Sequence, residues 1–296
     1  MDTSATSITE LLDSLRPNQA LCAFNTENFD TLKPALWAAA DLECPVVVAF
    51  TVPAAKYLGF PTTARIVDTL AKHYGVRYAL HLDHCEKADD LTEAVDGGFT
   101  SANLLDEGSF EPGTYVPIAQ KLRQTYRERI SLEFVFGKLG HIEDGHGHGL
   151  HHEAQDGMQS ASVEEVLAFN EATSPDILGF DCGSLHGMKV RDRGLDLDLI
   201  GKVAAATGKP IVLHGSSGVR EDALVDSLDA GVRKVNIETA IRAVYMESVR
   251  RTVQADGDGA RKPRYLTKAT DEALHHAYSS FLRSYTLRLA QPESGE

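Results

Sequence analysis

Hydrophobic and polar positions follow two alternating rhythms along this chain. From about residue 20, short apolar runs are separated by longer amphipathic stretches. The apolar runs predict strands over 20–25, 45–50, 77–82, 99–105, 130–136, 176–182, 210–214 and 232–237. Several are almost continuously apolar, as strands covered on both faces are. The stretches between them predict helices over 31–42, 61–74, 87–96, 115–127, 162–172, 196–206, 220–229 and 238–254. Pro34 is tolerable if it falls in the first turn of its helix. Ser162 with Glu165 fits a capping box, and Gly75, Gly97 and Gly208 stand where helices should end. Eight strand–helix alternations in about 235 residues predict a (β/α)8 TIM barrel, an α/β fold that typically needs about 250 residues. A doubly wound open sheet is the alternative.

Two segments break the rhythm. Residues 137–161 carry six glycines and five histidines (His141, His146, His148, His151 and His152) without periodicity. A loop of that length suggests a mobile active-site lid. Its His/Gly tract could hold metal or an anion, but the favoured reading is a soluble flexible lid. Residues 264–290 are helical in pattern, lie outside the eight repeats, and are expected to pack on the barrel. No linker is visible, so residues 1–296 read as a single domain.

Composition narrows the class. The 296 residues are 43% hydrophobic and 24% charged, which is ordinary globular composition. The first ten residues lack the basic start and apolar core of a signal peptide. No apolar run approaches the roughly 20 residues that span a bilayer. Cys22, Cys44, Cys85 and Cys182 are far apart and form no C-x-x-C pair, which suits reduced thiols and a cytoplasmic location. Acidic residues outnumber basic ones by 43 to 29, for a formal charge of −14. Nucleic acid and anionic membrane are therefore poor partners. At first sight the charge also disfavours an anionic small substrate.

In a parallel barrel the chemistry sits at the C-terminal ends of the strands. The residues there are Asn25; Thr51; Asp83 and His84; Glu133; Asp181 to Gly187 with His186; His214 to Gly218; and Asn236 to Thr239. Polar, ionisable and glycine residues recur at every end but the fourth. A lone His at a strand end is usually a satisfied structural residue. Three of them (His84, His186 and His214) at the same end of one barrel fit the three imidazoles of a catalytic Zn²⁺ with an open position. Their spacings of about 100 and 30 residues carry little by themselves, so the fold must bring them together. Asp83 beside His84 is a plausible proton donor or acceptor; a helix N-cap or a partner for a His is the other reading. His214-Gly-Ser-Ser-Gly218 and Asn236-Ile-Glu-Thr239 each lead into a helix, and loops after strands seven and eight of this fold often bind phosphate.

These residues resemble a family. Ala-Leu-His-Leu-Asp83-His84, Cys182-Gly-Ser-Leu-His186-Gly187, Ile-Val-Leu-His214-Gly-Ser-Ser-Gly218 and Lys-Val-Asn236-Ile-Glu-Thr239 look like the ordered signatures of the class II (zinc-dependent) ketose-bisphosphate aldolases. Cys22-Ala-Phe-Asn25, Ala-Lys-Tyr-Leu-Gly59 and Gly-Lys-Leu-Gly-His-Ile-Glu143-Asp-Gly145 match as well, so the resemblance runs from about residue 8 to 285.

The resemblance implies reversible aldol cleavage of a ketose (bis)phosphate to dihydroxyacetone phosphate and an aldehyde through a metal-stabilised enediolate. It implies His84, His186 and His214 as ligands of one catalytic zinc, Asp83 as the acid that protonates the aldehyde oxygen, and Glu143 as the loop base. It implies Asn25, Thr51, Gly187, Gly215, Ser216, Ser217, Asn236, Glu238 and Thr239 as substrate and phosphate contacts. It leaves room for a monovalent cation near the phosphate, and it implies a homodimer or homotetramer acting on a small sugar phosphate. No lysine takes an obvious strand-end position in the barrel interior, which disfavours a Schiff-base route.

The chain departs from the pattern in three places. Where the family has Glu-x-Glu-x-Gly at strand five, this chain reads Glu133-Phe-Val135-Phe-Gly137, and the aspartate partner in Asn103-Leu-Leu-Asp106-Glu107 is unclear. A secondary metal position is therefore in doubt. The lid is unusually rich in His and Gly. Lys262-Pro-Arg264-Tyr-Leu266 only partly resembles the segment beside a second phosphate, so either Arg264 meets that phosphate or the aldehyde is a different molecule. The rivals are the same chemistry on a non-glycolytic aldehyde, from deoxysugar, inositol, sulfosugar or specialised metabolism, and a non-catalytic barrel that binds a sugar phosphate. The charge of −14 no longer opposes a phosphate once a zinc ion with neutral ligands supplies local positive charge, because surface carboxylates are screened beyond about 8 Å.

Overall fold

The computed structural model describes residues 5–105, 112–126, 129–137, 161–184, 194–256 and 262–289. Eight parallel strands close into a barrel: β1 (Leu21–Asn25), β2 (Val46–Thr51), β3 (Tyr78–Cys85), β4 (Ser101–Leu105), β5 (Ser131–Phe136), β6 (Ile177–Phe180), β7 (Ile211–Leu213) and β8 (Val232–Ile237). The pairing of β1 with β8 excludes the open sheet. All eight fall where the apolar runs predict them, to within three residues at either end.

The outer ring holds α2 (Phe29–Asp41), α4 (Phe60–Tyr74), α5 (Ala88–Asp96), α6 (Pro112–Tyr126), α7 (Val163–Thr173), α8 (Leu197–Thr207), α9 (Glu221–Ala230) and α10 (Thr239–Asp256). The Ser162–Glu165 capping box is present, and Gly75, Gly97 and Gly208 are the C-caps of α4, α5 and α8. Helix α2 starts earlier than its apolar pattern suggests. Asn28 and Thr31 form a capping box that begins the helix at Phe29, so Pro34 lies in the second turn rather than the first. Two short helices were not legible as separate elements: α1 (Ile8–Asp13) and α3 (Val52–Leu58).

Alternate residues of each strand face the barrel interior, which has two levels. Near the N-terminal mouth it is apolar: Leu21, Ala23, Val47, Ala79, Ile177 and Val212 form one cluster with Ile8, Leu11 and Leu12 of α1. Helix α1 thus plugs the end opposite the strand termini where the chemistry lies. Above this plug the inward residues become polar. At the C-terminal end of the chain, α11 (Pro263–Phe281) packs on α2 and α10. Tyr278 of α11 donates to the Thr31 carbonyl (2.9 Å) and meets the Phe24 ring edge-on at 4.5 Å. A π-helical turn (Leu282–Leu287) follows, and Ala20 N–H bonds to the Tyr285 carbonyl at 3.0 Å just before β1 begins. Residues 263–287 thus pack against α2, α10 and β1. Of the lid expected over 137–161, residues 138–160 lie outside the described residues.

One inward glycine is dictated by packing. A Cβ at Gly179 would come within 2.8 Å of Val135 Cγ2 and 3.1 Å of Val212 Cγ1. Val135 pairs with Gly179 across β5 and β6, so the valine fills the space that a larger residue at 179 would need. Gly179→Ala is therefore expected to cost about 1–3 kcal/mol by overpacking. Adding Val135→Ala should recover part of that loss, giving a favourable coupling term in a urea-denaturation double-mutant cycle. Additive costs would refute the contact.

Candidate active site and metal centre

The strand end at β3 departs from regular pleating, and the site depends on that departure. Successive residues of a regular strand point to opposite faces. Here the β3–β4 register shifts between Leu82 and Cys85, and His84 takes a left-handed backbone conformation with φ of 53°. The bulge brings two consecutive side chains to one side. Ligand atoms of Asp83, His84 and His214 all lie within 4.8 Å of one another. The His84 and His214 rings are 5.7 Å apart, edge to face.

Asp83 is fixed from two neighbouring strands. It accepts from Asn25 Nδ2 at 2.8 Å and from Asn236 Nδ2 at 3.4 and 3.5 Å. Burial pushes its carboxyl up, but His84, His81 and His214 together outweigh burial and hold it well below the usual carboxylate range. Its side chain is a carboxylate at pH 7.

Beneath Asp83 and His214 runs a buried polar layer that the sequence only partly revealed. Glu133, on β5, accepts from His214 Nε2 and from Asn103 Nδ2, both at 2.9 Å, through Oε1. Its other oxygen accepts from Lys234 Nζ at 2.7 Å. Lys234 also donates to Asn236 Oδ1 at 2.8 Å and approaches His81 Nε2 at 3.4 Å. Burial alone would raise the Glu133 carboxyl, yet Lys234, His81 and His214 hold it below the ordinary range. Burial, followed by the Lys234 charge, pushes His81 down, so its imidazole is neutral at pH 7. Ser101 donates its hydroxyl to the Ser131 carbonyl (3.0 Å), so it accepts from His81 Nδ1 (2.9 Å), which leaves Nε2 as the acceptor for Lys234. His81, Asp83 and Glu133 could by spacing hold a cation, and the Lys234 ammonium reaches two of them, Glu133 and His81.

Lys234 and His81 went unrecognised in the sequence. The interior was expected to lack a strand-end lysine; Lys234 lies three residues before the end of β8, fully buried inside the barrel. The fourth strand, which offered no polar end, contributes Asn103. A signal existed. His81/Asp83, Ser101/Asn103, Ser131/Glu133 and Lys234/Asn236 are polar pairs two residues apart in largely apolar strands, so both members of each pair face the same side, the interior.

Above the polar layer, a cavity is lined by Asn25, Asp83, His84, Gly215, Ser216, Ser217, Asn236, Glu238 and Thr239. Gly215 is left-handed (φ 65°) and turns the chain from β7 into a 3-10 turn, Ser216–Gly218. Ser216 donates its hydroxyl to the Asn236 carbonyl at 2.6 Å, tying the β7 loop to β8. Thr239 is the first residue of α10, so the N-terminus of that helix opens on the cavity. Glu238 is pushed up mainly by burial, against the pull of Arg242 at 3.1 Å.

Not every expected residue joins this group. Thr51 ends β2 in register with Asp83 but does not line the cavity. Arg264 is exposed in the first turn of α11, with its guanidinium 5.1 Å from the Tyr265 ring centre. Val135 is buried in the barrel. His186, Gly187, Glu143, Asp106, Glu107 and the 141–152 tract lie outside the described residues.

Comparison with known proteins agrees with this architecture. The family model described as fructose-bisphosphate aldolase class-II matches residues 6–286. The 6-phospho-5-dehydro-2-deoxy-D-gluconate aldolase of Bacillus subtilis strain 168 is 29% identical over 290 residues, covering 94% of each chain. The D-tagatose-1,6-bisphosphate aldolase subunit GatY of Klebsiella oxytoca is 27% identical, covering 89% of this chain and 91% of the other. Among solved structures, the YdjI aldolase of Escherichia coli K12 superposes with a TM-score of 0.79 at 18% identity, covering 95% and 97% of the two chains. A fructose-bisphosphate aldolase of Campylobacter jejuni gives 0.74 at 19% identity over 96% of each. At such identities these two structures speak to the fold.

The left-handed backbone at His84 has a measurable cost. His84→Ala and His84→Gly both delete the imidazole and differ only at Cβ. The glycine variant is expected to be the more stable by about 1 kcal/mol in metal-free urea denaturation, because a Cβ is penalised in this conformation. Equal stabilities would show that position 84 carries no backbone strain.

Proposed function

The chain belongs to the class-II fructose-bisphosphate aldolase family, and we propose that it is a zinc-dependent lyase that reversibly splits a ketose phosphate into dihydroxyacetone phosphate and an aldehyde. The observation that carries this reading is the convergence of Asp83, His84 and His214 at the mouth of the barrel. Imidazole nitrogens beside a carboxylate suit zinc. His84 and His214 would hold it together with His186. The chemistry a bound zinc supplies is Lewis-acid polarisation of the substrate carbonyl.

The remaining work falls to the chain's own groups. Asp83 is ionised at rest, so in cleavage it accepts the proton of the substrate hydroxyl, and in condensation it returns that proton to the aldehyde oxygen. Asn25 and Asn236 aim it. Glu143 moves the proton on carbon, taking it from dihydroxyacetone phosphate in condensation. The phosphate binds the Gly215–Ser217 turn and the N-terminus of α10, where backbone N–H groups converge. Ser216 has committed its one proton to Asn236, so Ser217 and Thr239 supply the hydroxyl donors. A monovalent cation near the phosphate is compatible with this arrangement. We place the protein in the cytoplasm, as a homodimer or homotetramer.

A specific observation favours an aldehyde other than the glycolytic one. Arg264, the residue matched to a second phosphate, lies exposed over Tyr265, away from the lined cavity. A relative at 29% identity is named for a deoxygluconate phosphate. Val135 in place of a glutamate points the same way.

Activity should vanish with a strong chelator and return with zinc, and borohydride with substrate should leave no adduct on Lys234. Turnover that survives complete metal removal would sink this reading, and a zinc-free protein that still binds sugar phosphate would favour the non-catalytic barrel. The two serines should separate in steady-state kinetics and thermal melts. Ser217→Ala is expected to raise the KM for dihydroxyacetone phosphate about tenfold or more, the loss of one hydrogen bond to a charged group, with the melting temperature unchanged. Ser216→Ala should lower the melting temperature. An unchanged KM in Ser217→Ala would remove Ser217 from the phosphate site.

A further inference from the structure

The barrel interior holds an ammonium group that the proposed reaction does not use. Lys234 is fully buried, and its three protons meet three acceptors: Glu133 Oε2 at 2.7 Å, Asn236 Oδ1 at 2.8 Å and His81 Nε2 at 3.4 Å. The first two of these partners also flank His214, where Asn103 Nδ2 stands 3.4 Å from Nε2 while donating to Glu133. Glu133 Oε1 takes the proton of His214 Nε2 at 2.9 Å. Asn236 Nδ2 faces His214 Nδ1 at 3.4 Å. The Asn236 amide presents its nitrogen to His214 with its oxygen turned to Lys234. The Glu133 carboxylate can present one oxygen to His214 while the other holds Lys234. Both flanking groups therefore call for the same tautomer, with the proton on Nε2 and the lone pair on Nδ1.

We propose that Lys234 is a positioning residue: by fixing Glu133 on one side of His214 and the Asn236 amide on the other, it sets which ring nitrogen of His214 carries the proton and which is offered to the metal. The metal half of this statement rests on the zinc reading above; the tautomer half does not. Outer partners of this kind fix the orientation and tautomer of a metal-binding histidine, and losing one typically weakens metal binding about 10–100-fold.

The test uses metal-free protein labelled with ¹⁵N-histidine, read by long-range ¹H–¹⁵N correlation, with the His214 signals assigned from His214→Ala. Wild type should show the Nε2–H tautomer. Glu133→Gln offers one acceptor oxygen where two were in use. The ammonium, as the charged donor, takes it; the amide N–H then faces His214 Nε2 and drives the ring proton to Nδ1. Zinc affinity, measured by competition with a chromophoric chelator, should fall about 10–100-fold. Adding Lys234→Met to Glu133→Gln frees the amide to turn its oxygen toward His214. The double variant should regain the Nε2–H tautomer and bind zinc more tightly than Glu133→Gln alone. A merely structural lysine predicts the reverse order.

Glu133→Met with Lys234→Met supplies a second arm that does not rely on a buried amide. Replacing both charges by apolar groups of similar size preserves folding in many cores. This variant should keep its melting temperature while His214 loses its tautomer preference and zinc affinity falls about 10–100-fold. The assignment is overturned if Glu133→Gln leaves tautomer and zinc affinity as in wild type, or if the Glu133→Gln/Lys234→Met double variant is no better than Glu133→Gln. If the tautomer switches as described but neither wild type nor variants bind zinc, the Lys234 assignment stands and the zinc reading falls.

Discussion

The pairing of Lys234 with Glu133 is the interaction on which the site depends. Two opposite charges with no solvent exposure are tolerable only when each is paired and its remaining hydrogen-bonding capacity is met. The pair meets that condition because the barrel closes. Glu133 comes from β5 and Lys234 from β8, while His81, Asn103 and His214 reach the same layer from β3, β4 and the end of β7. An open sheet would leave these strands too far apart to share one carboxylate. Closure thus supplies the partners, and the partners in turn make the charged interior affordable.

The two levels of the interior divide the work. The lower level, sealed by α1, is apolar and contributes hydrophobic stability. The upper level is polar and contributes orientation. Asp83 is steered by amides from β1 and β8, and the amide of Asn236 is itself steered by Lys234. The rim adds a left-handed residue at His84, next to the last residue of β3. A residue in that conformation persists when its surroundings over-determine it, and such positions cluster at functional sites.

The strand and helix ladder was legible because apolar runs and amphipathic stretches have different periods, and because a barrel needs eight of each. The rim residues were legible from their place after each run. Lys234 and His81 were not, since a polar residue within a strand reads as a solvent-facing position unless the barrel is known to be filled. Their period-two spacing from Asn236 and Asp83 carries the information, but it means "interior" only once closure is established. The start of α2 was missed for a local reason. Asn28 and Thr31 bond to each other's backbone and begin the helix at Phe29, ahead of the apolar pattern. The bulge that turns Asp83 and His84 together has no glycine to mark it, so neither side-chain direction could be read from the sequence.

The charge of the chain takes on a different meaning beside this interior. Its formal value of −14 belongs to the whole chain, and it says little about a cleft lined by Gly215, Ser216, Ser217, Thr239 and the end of a helix. The local balance is what bears on chemistry. Asp83 and Glu133 are ionised, and Lys234 offsets one of them, so the layer retains one net negative charge with neutral His81 beside it. A divalent cation at His84 and His214 would reverse that sign next to Asp83. A second glutamate at position 135 would push the balance back toward negative. Valine there, packed beside Gly179, adds no charge to that interior. The departure at 135 thus leaves one lysine against two carboxylates in the buried layer, with an apolar side chain where a third carboxylate would have stood.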